Sequence, residues 1–209
     1  ADDMGYSDLG CMGSEIKTPY LDRLARKGVL FTQAYNTAKC FPSRACLLTG
    51  TWFQETDRDF ANTTTLGDVL QVSNYHTFWA GKHHATFDPR TRGFDRFYGF
   101  LGGAINYWNP GNSPATGASN PARIEHYQWI LDDKEITEPF VPDRADWYAT
   151  DVFTDKSIMW LEETAGDDKP FFLYLAYNAP HWPLHAPEES IEACRGRYDV
   201  GYEVIRNKR

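Results

Sequence analysis

Leu21, Leu24 and Ala25 recur at helical spacing between Thr18-Pro19 and Gly28. Thr18 suits an N-cap, Pro19 a first turn and Gly28 a stop, so residues 18–28 are predicted to form a helix. Residues 29–35 then read as a strand, 65–72 as a short helix and 76–80 as a second strand. The run 171–177, Phe-Phe-Leu-Tyr-Leu-Ala-Tyr, is apolar without clear alternation. That pattern suits a strand covered on both faces in a largely parallel sheet. Ahead of it, residues 147–164 read as a helix with Ile158, Leu161 and Ala165 on one stripe and Gly166 at its end. Helices alternating with buried strands predict a three-layer α/β sandwich around a largely parallel central sheet.

The stretch 106–121 is rich in Asn, Gly, Pro and Ser and is long for a structureless connection, so it is expected to be a surface loop or mobile lid. Its Tyr107 and Trp108, with Trp129 beyond, have ring faces that suit stacking on a sugar or aryl group, but anchoring to the core is the favoured role. A chain of 209 residues can bury one sizeable core and is expected to be one globular unit. The net charge of −8 offers no basic face for nucleic acid, and no apolar run approaches the length of a membrane span. An acidic surface repels anions at long range, so an anionic ligand has to be caught by a local positive pocket. Arg44 and Lys82 are the candidates. Cys11, Cys40, Cys46 and Cys194 form no Cys-x-x-Cys pair and no disulfide framework.

The chemistry concentrates in Cys40-Phe41-Pro42-Ser43-Arg44, followed by Ala45-Cys46-Leu47-Leu48-Thr49-Gly50. Pro42 suits a first helical position, Ser43 can satisfy a free amide and Gly50 can stop the helix. Cys40 is thus expected beside a helix N-terminus, where unpaired amides and the macrodipole favour an anion. Arg44, one turn inside, adds a fixed charge and a planar fork of donors. A tetrahedral oxyanion is the natural guest. Lys82 and His84 lie just past the 76–80 strand, two residues apart, so an extended backbone sends both side chains into one cleft and His83 away. His181 follows the 171–177 strand, at the end of a sheet where α/β sites gather. Asp2 and Asp3 share an ion only if the chain turns there, which Gly5 permits; otherwise such a pair is a solvated loop or cap. His76, His126 and His185 are read as structural. A zinc site from His83, His84, His181 and His185 matches no strong zinc spacing.

Cys-x-Pro-Ser-Arg leading into Leu-Leu-Thr-Gly resembles the signature of type I sulfatases, in the alkaline-phosphatase-like superfamily. Further segments support the resemblance: Asp2-Asp3-Met4-Gly5-Tyr6, Thr18-Pro19-Tyr20-Leu21-Asp22, Gly81-Lys82-His83-His84 against the family's Gly-Lys-Trp-His, and Ala179-Pro180-His181-Trp182-Pro183-Leu184. Their order also matches, and the likeness extends to residues 198–206. The resemblance implies sulfate ester hydrolysis, with Cys40 oxidised to formylglycine by a formylglycine-generating or equivalent maturation enzyme. It implies calcium, or magnesium in its place, held by Asp2, Asp3 and the modified Cys40. Lys82 is assigned to a sulfate or leaving-group oxygen, His84 to the nucleophile's spare hydroxyl, and His181 to sulfate or the leaving oxygen. A hydrated aldehyde suits this chemistry. One hydroxyl attacks sulfur, and loss of the other's proton expels sulfate by C–O cleavage, which avoids a second attack at sulfur. The diol is also a better ligand than a thiolate for a hard cation.

Some features depart from the family. His83 stands where relatives carry Trp, and Ala85-Thr86 replaces a common Leu-Gly, changes that bear on pocket shape and specificity. The family's Asp-Asn metal pair and further lysine have no match between His181 and Arg209, and the chain opens at Ala1 without the strand expected to lead into Asp2. Residues 1–209 are therefore expected to be part of a catalytic domain, incomplete at both ends, under-supplied with metal ligands and inactive alone. The expected substrate is a sulfated small molecule or glycan, and an exported location is implied by the family only. A phosphatase or phosphonate hydrolase of the same superfamily and a non-catalytic sulfated-glycan binding module are the competing readings.

Overall fold

The structure, a computed structural model, describes residues 1–56, 59–111, 128–136 and 140–208. In chain order the helices and strands are α1 (Pro19–Lys27), α2 (Cys40–Thr49), α3 (Leu66–Val72), β1 (His76–Lys82), β2 (Arg96–Phe100), β3 (Trp129–Leu131), β4 (Lys134–Ile136), α4 (Ala149–Thr164), β5 (Phe171–Ala176), α5 (Glu188–Glu192) and α6 (Tyr202–Lys208). Contacts divide the chain into two compact units, Ala1–Asp2 with Asn36–Pro183, and Asp3–Tyr35 with Leu184–Arg209.

The first unit is built on a five-stranded sheet ordered β4-β3-β2-β1-β5. β1 is parallel to β2 and to β5, while β3 and β4 complete the sheet as an antiparallel pair. β1 is buried at every position after His76. Alternation along it sends Phe78 and Ala80 to one face, against Phe153 and Trp160 of α4. Trp79 points to the other face, with Ala45 and Leu48 of α2. Helices thus cover both sides of a mixed, mostly parallel sheet, the three layers that the sequence predicts. Near the C-terminal end of β1 the three parallel strands close tightly. Gly81 has φ +108°, and a Cβ there would lie 2.2 Å from the Ala176 oxygen; one on Gly99 would lie 1.9 Å from the Gly81 oxygen. Only glycine fits, and Lys82 follows at once.

Several expectations are refined or corrected. Residues 29–35 form no strand; Val29, Phe31 and Tyr35 are 80%, 73% and 91% exposed. β-propensity needs a ladder to act through, and among the described residues this segment has none. β5 has apolar cover on both faces, Phe172 and Tyr174 on one and Leu173 and Leu175 on the other. It is nonetheless only half-buried, because it ends the sheet among the described residues. α4 buries Ala149, Val152, Phe153, Ser157 and Trp160 rather than the predicted stripe, and Ile158 is exposed. Phe153 and Trp160 remove more apolar area from water than Ile158 and Leu161, so they set the helix rotation. The anchoring role of Tyr107 and Trp129 holds, both being at most 1% exposed. Residues 112–121 of the anticipated loop lie outside the described residues, as does His126.

In the second unit, α1 spans the predicted segment between Thr18 and Gly28. Thr18 spends its hydroxyl on Gly10 N–H and on Asp22 Oδ1, both at 2.8 Å, rather than on a cap. Asp22 Oδ1 also accepts Cys11 N–H at 2.8 Å, stitching the preceding loop to the helix. Tyr198 donates to Glu15 at 3.0 Å.

Tyr20, Leu24, Leu184 and Tyr202 join Val29, Phe31 and Tyr35 as large, exposed apolar side chains of this unit. That much apolar surface favours association. The chain is therefore expected to self-associate at micromolar concentration in sedimentation velocity, and Phe31→Glu with Tyr35→Lys to shift it toward monomer. A monodisperse wild-type monomer across that range would contradict the expectation.

Candidate active site

β1 and β5 are parallel neighbours that end at Lys82 and Ala176, so their C-terminal ends open on one side. Ligands of α/β sheets bind at that side. α2 begins at Cys40, two residues earlier than Pro42 predicts, with Lys39 as an extended N-cap that supplies no side-chain bond. Pro42 falls at the third helical position, where a missing N–H costs nothing. The Ser43 hydroxyl pairs with Thr37 at 2.9 Å instead of filling an amide. The helix ends at Gly50 in the left-handed conformation, as predicted.

Arg44 and Lys82 turn inward and are buried, Lys82 completely. Arg44 Nη1 donates to the Lys82 carbonyl at 3.0 Å and to the Tyr174 hydroxyl at 3.4 Å, and its Nη2 lies 3.5 Å from Asp2 Oδ2. The Lys82 ammonium pairs with the same Asp2 oxygen. Burial pushes the Lys82 pKa down, the bond to Asp2 opposes that shift, Arg44 adds to it, and Cys40 stands close enough to oppose it too. Two buried cations share one buried carboxylate, so these three side chains carry one positive charge in sum.

His84 has φ 65°, so the chain turns there and the extended geometry expected from Lys82 to His84 is not what aligns them. The ladder ends one residue earlier, where His83 N–H bonds the Phe100 oxygen at 3.0 Å. The turn lays the His84 ring edge-on to Phe41, at 6.3 Å between centroids. It also lays it on Gly103, where a Cβ would come within 2.8 Å of Nε2. His84 and Lys82 therefore both approach the first turn of α2.

His181 sits on the loop after β5, its N–H bonded to Asn178 O at 2.9 Å. Its Nδ1 bonds the Trp182 carbonyl. A carbonyl only accepts, so Nδ1 carries a proton. Asp2 N–H bonds Ala179 O at 2.9 Å, tying this loop to the residue that holds Lys82 and Arg44. The first unit thus gathers Asp2, Cys40, Arg44, Lys82, His84 and His181 around one end of the sheet, while Asp3 belongs to the second unit. Tyr174, Gly103 and Asn178 complete these surroundings, and nothing in the sequence sets them apart from their apolar or loop neighbours.

His83 is a core residue. Its ring packs against Phe87 at 4.4 Å and Trp79 at 4.8 Å, and its Nδ1 accepts Ala85 N–H at 3.0 Å. His76 bonds Asp167 at 2.8 Å and stacks on Phe78, which fits its structural reading. His185 lies in the second unit. Among the described residues no three His, Cys, Asp or Glu side chains come together around a metal position. A calcium ion takes six to eight oxygens. One carboxylate oxygen already paired with two cations does not fit that need, so the described residues by themselves form no calcium cage.

Comparison with known proteins gives a consistent family. The profile of the sulfatase family matches residues 1–208. An arylsulfatase of Klebsiella aerogenes is 31% identical over 231 residues, covering 100% of this chain and 47% of the relative. The solved structure of Ps i-CgsB in complex with k-i-k-neocarrahexaose superposes with TM-score 0.70 at 33% identity, over 92% of this chain and 46% of that one. That of BT4656 with its substrate D-glucosamine-2-N,6-O-disulfate gives TM-score 0.64 at 28% identity, over 92% and 36%. The chain thus spans less than half the length of these relatives. Among the described residues no helix is long and apolar enough to cross a membrane.

Burial lowers the His83 pKa from 6.5 to about 3. Between those values the unfolded chain binds a proton that the folded chain refuses, so stability is lost as pH falls through this window, by ~1.4 kcal/mol per pH unit. His83→Phe removes that component, with a pH-independent cost of about 1 kcal/mol for the lost Ala85 bond. Urea melts at stepped pH from 7 to 4 are expected to show a shallower acid loss in the variant. Parallel curves would refute the assignment.

Proposed function

The chain belongs to the sulfatase family, and from that premise we propose that it serves sulfate ester hydrolysis, with Cys40, Arg44, Lys82, His84 and His181 as its working residues. One observation carries the proposal: Lys82 and Arg44, both buried, share the single carboxylate of Asp2 beside the first turn of α2. Their surplus of one positive charge matches a sulfate monoester, which carries one negative charge. A phosphate monoester is largely dianionic at neutral pH, since its second pKa is about 6. Charge balance therefore favours sulfate over the phosphatase alternative.

On this proposal Cys40, after oxidation to formylglycine by a maturation enzyme, supplies the hydroxyl that attacks sulfur and the second hydroxyl whose deprotonation releases sulfate. The amides at the start of α2 and the Lys82 ammonium receive the sulfate oxygens as charge builds on them. Arg44 holds the Lys82 carbonyl and so fixes the end of β1. His84, pressed against Phe41 next to the nucleophile, takes the spare hydroxyl's proton. His181, once protonated at Nε2, hands a proton to the departing oxygen or holds a sulfate oxygen. Calcium, which the family resemblance assigns to Asp2, Asp3 and the modified Cys40, is proposed as a cofactor only where further oxygen ligands complete its shell. No step is routed through it, because the described residues form no cage. The substrate is proposed to be a sulfated small molecule or glycan, a reading supported by the saccharides named in the two solved structures. Residues 1–209 are proposed to be one part of the catalytic domain, able to bind but not to turn over.

The test is peptide mass spectrometry across Cys40 after coexpression with the maturation enzyme, combined with titrations of 4-nitrophenyl sulfate and 4-nitrophenyl phosphate in calcium-containing buffer. A mass loss matching thiol-to-aldehyde conversion and tighter binding of the sulfate are expected, without nitrophenol release. Lys82→Met is expected to weaken sulfate binding by about tenfold or more, equivalent to ~1.4 kcal/mol. An unmodified Cys40 or a preference for phosphate would overturn the proposal. Nitrophenol release by the isolated chain would overturn only its inactivity.

A further inference from the structure

The loop that presents His181 is short, and Tyr107 makes two contacts to it. The Tyr107 hydroxyl lies 2.7 Å from the Asn178 oxygen and 2.9 Å from the His181 oxygen. One hydroxyl proton is thereby shared between carbonyls on either side of Ala179-Pro180. The Asn178 oxygen also accepts the His181 N–H at 2.9 Å, so Tyr107 grips the atom that closes the turn. Tyr107 is itself fixed. Its ring is 1% exposed and packs against Tyr148 at 5.9 Å, and its carbonyl accepts Ala149 N–H at 2.9 Å, at the start of α4. Asp2 N–H holds the same loop at Ala179 O.

We propose that Tyr107 is a positioning residue: it transmits the fixed end of α4 to the His181 loop and sets the direction of the imidazole. The hydroxyl orients the His181 carbonyl, hence the peptide plane that leads into Trp182, whose own carbonyl receives His181 Nδ1. Turning that plane turns the ring, and Nε2 with it. The catalytic consequence rests on the proposed role of His181; the mechanical one does not.

Tyr107→Phe removes one oxygen and keeps the packed ring, so the fold has little reason to fail. Amide exchange at His181 is expected to accelerate about tenfold or more in the variant, the loss of one buried hydrogen bond. Exchange within α4 should change far less. The His181 ring-carbon NMR signal should shift while that of His76, paired with Asp167, stays in place. Uniform acceleration across α4 and the loop, or none, would overturn the proposal. Titration of both proteins with 4-nitrophenyl sulfate separates the two ideas. Weaker binding in the variant alone ties the brace to the anion site. Absence of binding in both refutes the sulfatase site, and the exchange rates then decide the role of Tyr107 by themselves.

Discussion

Two cations buried at the end of a sheet are expensive to desolvate, and the site exists because one carboxylate meets both. Lys82 cannot reach water; its ammonium is tolerated only through Asp2. Arg44 shares that oxygen and also grips the Lys82 carbonyl, so the helix start, the strand end and the first residues of the chain are locked through one charged junction. Local charge at this junction differs in sign from the net charge of the chain. The chain as a whole is acidic at −8, yet this junction is one unit positive.

The sheet delivers Lys82 to that junction through backbone contact. Gly81 and Gly99 let β1 close on β5 and β2 to distances that no Cβ allows. With its neighbours this near, β1 has no lateral freedom at its last residue, and the direction of the Lys82 side chain is set by the ladder. His84 comes into place by a different device, a left-handed turn that lays the ring on Gly103. His181 depends on carbonyl oxygens gripped by a tyrosine and a backbone amide. Three means of positioning, a ladder, a turn and a braced loop, act at one end of the sheet.

Much of this was legible in the sequence where residue chemistry and local geometry agree. Pro19 and Gly28 frame α1, Thr65 caps α3 through its bond from Asp68 N–H, and the cysteine stretch forms a helix ending at Gly50. The positions of Cys40 and Arg44 at a helix start and of Lys82 at a strand end followed from the sequence, whereas His84 is placed by a turn that the extended reading missed. What escaped was set by tertiary contact. Residues 29–35 carry strand residues but pair with no strand among the described residues, and the rotation of α4 follows Phe153 and Trp160, which fit against a sheet that sequence spacing does not describe. Tyr174 reads as one apolar residue among seven, yet its hydroxyl meets Arg44 from a position fixed only when β5 pairs with β1.

His83 shows how the two faces of this strand end divide their work. His83 faces an aromatic cluster of Trp79, Phe87 and Phe97 and spends Nδ1 on the Ala85 amide, and burial pushes its pKa down to about 3, so it is neutral near pH 7. A charged imidazolium there would add a positive charge near Arg44, which already pushes the His83 pKa down. Aromatic burial thus does more than pack the ring. It silences a titratable group that stands in sequence between Lys82 and His84, so that no further cation forms beside Arg44.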